Sequence, residues 1–215
     1  MFTKAFYESI HDVISKYYHI YPCGTSRDNS VNSEFNRKLY GLFPDQMISV
    51  LDLGCAGGGM VKSILDDGHI AAGLEGSDYS LLHKRAEWAT IPKNLFTCDI
   101  TKHFILHIGD KFPYQFDVVT AWEVLEHIPE DDLVGMISNI RYHLKTGGLF
   151  IGSAMEHHWS ENGIDYHVNC KPIEWWDSRF TSSGFVRCND LESYFGNDWV
   201  RSVEMNFVFK KGMTS

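Results

Sequence analysis

The stretch that most constrains this chain runs from Val50 to Asp78, VLDLGCAGGGMVKSILDDGHIAAGLEGSD. An apolar run, Ile48 to Leu53, breaks at Gly54-Cys55-Ala56-Gly57-Gly58-Gly59. A helical period follows (Met60, Val61, Ile64, Leu65) and stops at Asp66-Asp67-Gly68. A second apolar run, Ile70 to Leu74, then ends on Glu75. Strand, glycine turn, helix, strand and acid in this order predict a mononucleotide-binding βαβ half. Glycines let the backbone turn sharply and approach a ligand closely. The helix start offers unpaired N–H groups and the positive end of its dipole. An acid at the tip of the second strand can accept both hydroxyls of a ribose. Asp52, inside the first strand, would be costly to bury unpaired, so it is expected to hydrogen-bond the backbone of the turn.

The turn alone admits two cofactors. Read as G-x-G/A-x-x-G it is Gly54, Ala56 and Gly59, with Glu75 at the distance a nicotinamide dinucleotide requires. Read as D-x-G-x-G-x-G it is Asp52, Gly54, Ala56 and Gly58, which resembles motif I of the class I S-adenosylmethionine-dependent methyltransferases. The middle glycine is usual there, and Ala56 departs from it by one methyl.

The remaining pattern alternates helix and strand. Phe6, Ile10, Val13 and Tyr17 predict an amphipathic helix over residues 3–21, and Phe35, Leu39 and Leu42 a second, short one stopped by Gly41 and Pro44. These two helices suit packing on the sheet edge and a lid over the cofactor mouth equally well. A helix over 79–89 and a strand over 94–98, ending on Asp99, come next. A strand over 116–121 leads to Trp122, a helix carries Leu133, Met136, Ile137, Ile140 and Leu144 on one face, and a strand covers 148–154. This alternation predicts a parallel sheet with helices on both faces. Beyond a helix over 172–183, the runs 185–191 and 205–210 read as strands joined by a helix-free connection. A parallel crossover normally needs a helix, so an antiparallel pair is expected to close the sheet.

Further motifs extend the resemblance over residues 48–210. Glu75 sits where class I methyltransferases bind the ribose hydroxyls, with Gly76 beside it, and Cys98-Asp99-Ile100 resembles the segment that contacts the adenine. FDVVTAWEVLEHIPEDDL is similar to the fourth-strand motif, with Trp122 at its tip, and LKTGGLFIGSA to the motif opening the fifth strand, with Thr146 where proline is usual. The resemblance implies a Rossmann-like α/β fold: a seven-stranded, mostly parallel sheet with an antiparallel last strand and an N-terminal helical appendage. It divides one domain into an appendage (1–47), a cofactor half (48–154) and a substrate loop with the closing strands (155–215). It implies S-adenosylmethionine as cofactor, held by Asp52, Gly54, Ala56, Gly58, Glu75, Gly76, Asp99, Ile100 and Trp122, with S-adenosylhomocysteine as product.

On the acceptor side, Glu123-Val124-Leu125-Glu126-His127 places two carboxylates and an imidazole on one face if it is helical. Such a set could hold a hard divalent cation, Mg²⁺ or Mn²⁺. The segment resembles the metal-binding stretch of small-RNA 3′-terminal 2′-O-methyltransferases and the matching stretch of ubiquinone-biosynthesis O-methyltransferases, both acting on vicinal hydroxyls. A later histidine would complete the site: His167, or one of His157 and His158. Without a metal, His127 or His167 is a candidate general base, because an ordinary imidazole titrates near pH ~6.5. The same E-H pair also occurs in class I enzymes as a pocket-shaping element. The loop 155–169 gathers His157, His158, Trp159, Asp165, Tyr166 and His167, a density that suits a binding surface. Trp175-Trp176, at helical spacing, reads as core packing.

Composition narrows the partners. A formal net charge of −9 disfavours a broad polyanion-binding face, so a long nucleic acid is not expected and a small-molecule acceptor is. Five scattered cysteines without a C-x-x-C pair suit a reducing compartment and no structural zinc. The apolar runs fall short of the ~18 residues of a membrane span, and the opening residues carry no signal-peptide pattern, so a cytoplasmic location is expected. The sequence leads to methyl transfer to a hydroxyl of a small molecule, sugar or quinone-like acceptor. N-methyl transfer and a non-catalytic cofactor-binding module are the alternatives.

Overall fold

The computed structural model describes residues 26–108, 113–161, 163–201, 203 and 205–213; the helix expected over 3–21 lies outside them. Helix α1 (Ser33–Gly41) is capped by Asn32, whose side chain accepts from the N–H groups of Glu34 and Phe35, a device that stabilises a helix start by ~1 kcal/mol. Then follow β1 (Ser49–Leu53), α2 (Gly59–Asp66), β2 (Ile70–Glu75), α3 (Tyr79–Leu82), β3 (Leu95–Thr97), β4 (Phe116–Ala121), α4 (Glu130–His143) and β5 (Leu144–Ala154). A two-residue-per-strand hairpin, β6 (Ser160–Glu161) and β7 (Ile164–Asp165), precedes α5 (Ile173–Ser182), β8 (Phe185–Arg187), α6 (Asn189–Phe195) and β9 (Met205–Lys211).

Seven strands form one sheet in the order β3-β2-β1-β4-β5-β9-β8. Strands β1 to β5 pair in parallel, and β9 runs antiparallel to both β5 and β8. The antiparallel closure expected from the sequence is therefore present. Side chains alternate between two cores. Leu51, Val119, Phe150 and Phe207 enter one with Leu133, Met136 and Ile140 of α4 and Trp176 and Phe180 of α5. Val50, Val118, Ile151 and Val208 enter the other with Phe35 and Leu39 of α1, Val61 and Ile64 of α2 and Phe195 of α6.

Three local expectations need correction. The helix over 79–89 breaks after α3, where Lys84 and Ala86 take left-handed backbone (φ 45° each), and a 3₁₀ turn covers Ala86–Ala89. The break turns the segment onto the glycine turn, where the Glu87 N–H donates to Gly57 O (2.9 Å) and the Trp88 indole to Ala56 O (2.8 Å). The strand over 185–191 ends at Arg187, and α6 occupies the connection read as helix-free. Arg187 pairs with Glu192 through both Nε and Nη2, and Phe195 stacks on Phe35, so tertiary contacts make this helix. Strand β5 starts at Leu144, before Gly148, with a register shift where Gly147 has φ 75°. The tryptophan pair packs on the core as expected: Trp176 is fully buried, and Trp175, partly buried against the same cluster, lies under Lys171 and Arg179.

Candidate active site

The glycine turn joins β1 to α2 at the carboxyl end of the sheet, where strand order reverses between β1 and β4. Open α/β sheets bind ligands at such a point. The N–H groups of Gly54 and Cys55 both donate to Leu74 O, at 2.8 and 2.9 Å, which folds the turn against β2. Gly54 has φ 74°, and a Cβ there would lie 2.4 Å from Cγ2 of Val124. Gly58, with φ 85°, caps α2. Ala56 adopts φ 46°, a conformation costing an L residue about 1 kcal/mol, and its N–H donates to Oε2 of Glu75 at 2.9 Å.

The buried acids have distinct partners. Glu75, not Asp52, accepts from the turn, and Ser77 N–H donates to its other oxygen at 3.3 Å. Asp52 instead accepts from the Thr120 hydroxyl across to β4, at 2.7 Å. Burial pushes Asp52 up to about 7, aided by the charges of Asp28 and Glu75 and opposed by the Thr120 hydrogen bond. Asp99 accepts from the N–H and hydroxyl of Thr101 at 3.0 and 2.7 Å. The next residue, Ile100, is held by Asn139 of α4, whose amide donates to Ile100 O. Gly76 follows Glu75 at the β2 tip, half-buried.

A small cleft opens beside β1 and β4, lined by Asp28, Ser30, Asp52, Gly54, Cys55, Met60, Trp122, Val200 and Arg201. Of the residues expected at the cofactor, Asp52, Gly54 and Trp122 line it; Ala56, Gly58, Glu75, Gly76, Asp99 and Ile100 do not, and lie in the glycine turn or at and after the ends of β2 and β3. Trp122 is fixed by the Met60 sulfur (3.2 Å) and an edge-on contact with Phe35. No motif pointed to Asp28, Ser30, Val200 or Arg201. Their place in the cleft depends on two distant segments meeting.

Beyond β4, the chain is not α-helical. Glu123 has left-handed backbone (φ 53°), and only Leu125–His127 forms a 3₁₀ turn. Glu123 is thereby separated from Glu126 and His127: its N–H donates to Ser153 Oγ and its carboxylate pairs with Arg201. The expected ligand set is corrected accordingly. Glu126, His127 and His167 bring one donor atom each to within 4.8 Å of one another, with His157 and His158 exposed outside the cluster.

This cluster is tightly built. The Nδ1 atoms of His127 and His167 lie 2.7 Å from Tyr166 O and 2.8 Å from His157 O. Each Nδ1 therefore carries the proton and leaves Nε2 as a free electron pair. The Glu126 carbonyl accepts from Val168 and Asn169 N–H, locking the loop end beneath the cluster. Glu126 is fully buried; its carboxylate oxygens form no hydrogen bond of good geometry among the described residues, and the backbone of Glu126 and Met155 gives them only weak polar support. Burial pushes Glu126 up to about 8, with Glu123 adding to the rise and the backbone of Glu126 and Met155 opposing it. Burial lowers His127 to about 4, against the Tyr166 hydrogen bond. Trp159 covers the cluster, stacked on Tyr166 and edge-on to His167.

Comparison with known proteins agrees with this geometry. Residues 51–150 match the family described as Methyltransferase domain. The chain is similar to the ubiquinone biosynthesis O-methyltransferase of Burkholderia vietnamiensis, at 25% identity over 173 residues, 76% of this chain and 67% of that one. It is 28% identical over 166 residues to the enzyme of that name from Coxiella burnetii, 74% of this chain and 66% of that one. The chain thus spans about two thirds of the length of these relatives. Its fold is shared with an S-adenosylmethionine-dependent methyltransferase from Clostridium acetobutylicum (TM-score 0.61, 15% identity, 92% of this chain and 98% of that one). It is also shared with the glycopeptide N-methyltransferase MtfA bound to S-adenosylmethionine (TM-score 0.55, 17% identity, 86% and 95%). Residues 51–150 thus form a methyltransferase domain, and the chain has the fold of class I S-adenosylmethionine-dependent methyltransferases.

Proposed function

We propose that this enzyme methylates an oxygen of a small acceptor carrying adjacent hydroxyls, of the catechol or sugar-diol kind. The observation that carries the reading is the fully buried Glu126 side chain, without a well-formed hydrogen bond among the described residues, clustered with two imidazoles that are anchored at Nδ1. Raised to about 8, Glu126 holds a proton at pH 7 when no cation is present, and a divalent cation meeting it would displace that proton. Two nitrogens and one oxygen suit Mn²⁺ better than Mg²⁺, which prefers oxygen ligands. The similarity to relatives named ubiquinone biosynthesis O-methyltransferase supports transfer to an oxygen.

In this reading Glu126, His127 and His167 would hold the ion, while Glu75 takes the ribose hydroxyls and Asp99 the adenine amine. When bound, S-adenosylmethionine supplies the methyl group and a divalent ion supplies positive charge that makes a nearby hydroxyl more acidic. Trp159 orients a flat acceptor by stacking and keeps water from the cluster. His127, lowered to about 4, is neutral at pH 7 and serves as a ligand, not as the general base. The acceptor oxygen would take the methyl as the sulfur–carbon bond breaks and S-adenosylhomocysteine leaves, and its proton would pass to solvent.

Thermal melting with S-adenosylhomocysteine, with Mn²⁺ and with both provides the test. A ligand at 100 times its dissociation constant stabilises a fold by ~2.7 kcal/mol. We expect Mn²⁺ to add a shift that Glu126→Gln loses and Glu123→Gln retains, and a catechol to be methylated faster than a monophenol. Methylation that prefers amines, with no Mn²⁺ shift, would overturn the reading.

A further inference from the structure

One guanidinium is set among acids at the cofactor cleft. Arg201 and Asp28 both line it, and Arg201 Nη2 lies 2.8 Å from Asp28 Oδ1 while Nε lies 3.1 Å from Glu123 Oε2. Asp28 is itself fixed, since the same oxygen accepts from the N–H and hydroxyl of Ser30. A guanidinium carries five N–H donors. The two carboxylates engage its Nε and Nη2 groups and leave Nη1 for another anion. About a third of the Arg201 side chain is exposed to the cleft side and solvent, so a ligand can reach it.

Strand order supplies a ruler for what arrives there. Neighbouring strands lie ~4.8 Å apart, and the order is β3-β2-β1-β4. A ligand with its adenine at Asp99, after β3, and its ribose at Glu75, on β2, extends its remaining end across β1 towards β4. That end of S-adenosylmethionine is an α-amino acid head, a carboxylate beside an ammonium. One cation flanked by acids complements such a zwitterion. A dinucleotide would instead bring a diphosphate towards Asp28 and Glu123, which repel it.

We propose that Arg201 binds the carboxylate of the cofactor's amino-acid head, while Asp28 and Glu123 orient the guanidinium and face the ammonium. This assignment rests on the adenosine placement at Glu75 and Asp99 given above. It makes Arg201 a cofactor-specificity residue contributed by the connection before β9.

Calorimetric titration with S-adenosylhomocysteine and with its decarboxylated analogue tests it. The analogue keeps the adenosine, thioether and amine and lacks only the carboxylate. The unaltered protein should prefer S-adenosylhomocysteine by at least about tenfold, the range of a charge-assisted hydrogen bond. Arg201→Ala should abolish that preference and leave the analogue's affinity within about twofold. Arg201→Lys, which keeps the charge without the fork, should retain part of the preference and supplies a second variant if alanine impairs folding. Equal weakening of both ligands in Arg201→Ala, or no preference in the unaltered protein, would overturn the assignment alone. Failure of the unaltered protein to bind either ligand would overturn the adenosine placement with it.

Discussion

Asp52 shows what a single buried acid does to this protein. Its folded-state titration at about 7 lies above the ~3.9 of an ordinary aspartate, because burial penalises the charge more than the Thr120 hydroxyl relieves it. The folded chain therefore holds this proton more tightly than the unfolded chain. Its contribution to stability is complete below about pH 4 and is lost as pH rises through about 7. We expect Asp52→Asn to remove that loss. Urea denaturation of the two proteins from pH 5 to pH 8 should show the variant gaining on the parent by on the order of 2 kcal/mol at the upper end. At this scale the sequence was informative about identity and less so about partners. The motif placed Gly54 and Glu75 at the turn, where the structure has them. It could not tell that Glu75 would take the hydrogen bond expected of Asp52, because that depends on how β2 leans over the turn.

Elements were legible where a hydrophobic period was strong and opaque where contacts overrode it. The strands β1, β2, β4 and β9 carry their own signal, since their side chains alternate between two cores. By contrast, α6 is short and owes its existence to the Arg187–Glu192 pair and the burial of Phe195. The segment 122–127 misled for a related reason. Its apolar and acidic spacing fits a helix, but left-handed Glu123 and the Ser153 contact turn it into a 3₁₀ corner. Helix α4 offers a sharp test of packing against propensity. A Cβ on Gly135 would lie 2.2 Å from Thr101 O, beside the loop that carries Asp99. Gly135→Ala raises helix propensity yet should lower stability by about 1–3 kcal/mol, as overpacking does. A higher denaturation midpoint would contradict this packing account.

Across the whole molecule, the parts least visible in sequence are those assembled from far apart. Asp28 O accepts from Gly57 N–H and from Arg85 Nη2, and the Asp28 carboxylate reaches Arg201. The segment before α1 thus touches the glycine turn, the bend after α3 and the connection before β9 at once. Cofactor bound in the cleft would tie these three together more firmly. We expect hydrogen exchange at residues 26–31 and 196–201 to slow on addition of S-adenosylhomocysteine, while β4 and β5 change little. Unchanged exchange in both segments would show that they do not respond to the cleft.

The loop 155–169 unites two properties that other enzymes can vary separately. It supplies His167, the carbonyls of His157 and Tyr166 that set both imidazoles, and Trp159 over the cluster. Binding residues lie disproportionately on loops held by a rigid scaffold, and one fold hosts many functions. Here an exchange would dismantle the histidine cluster in the same event. With the acceptor bound at this loop as proposed, a lineage carrying it would inherit its acceptor preference and its imidazole pair together, and would shed both together when it acquired another.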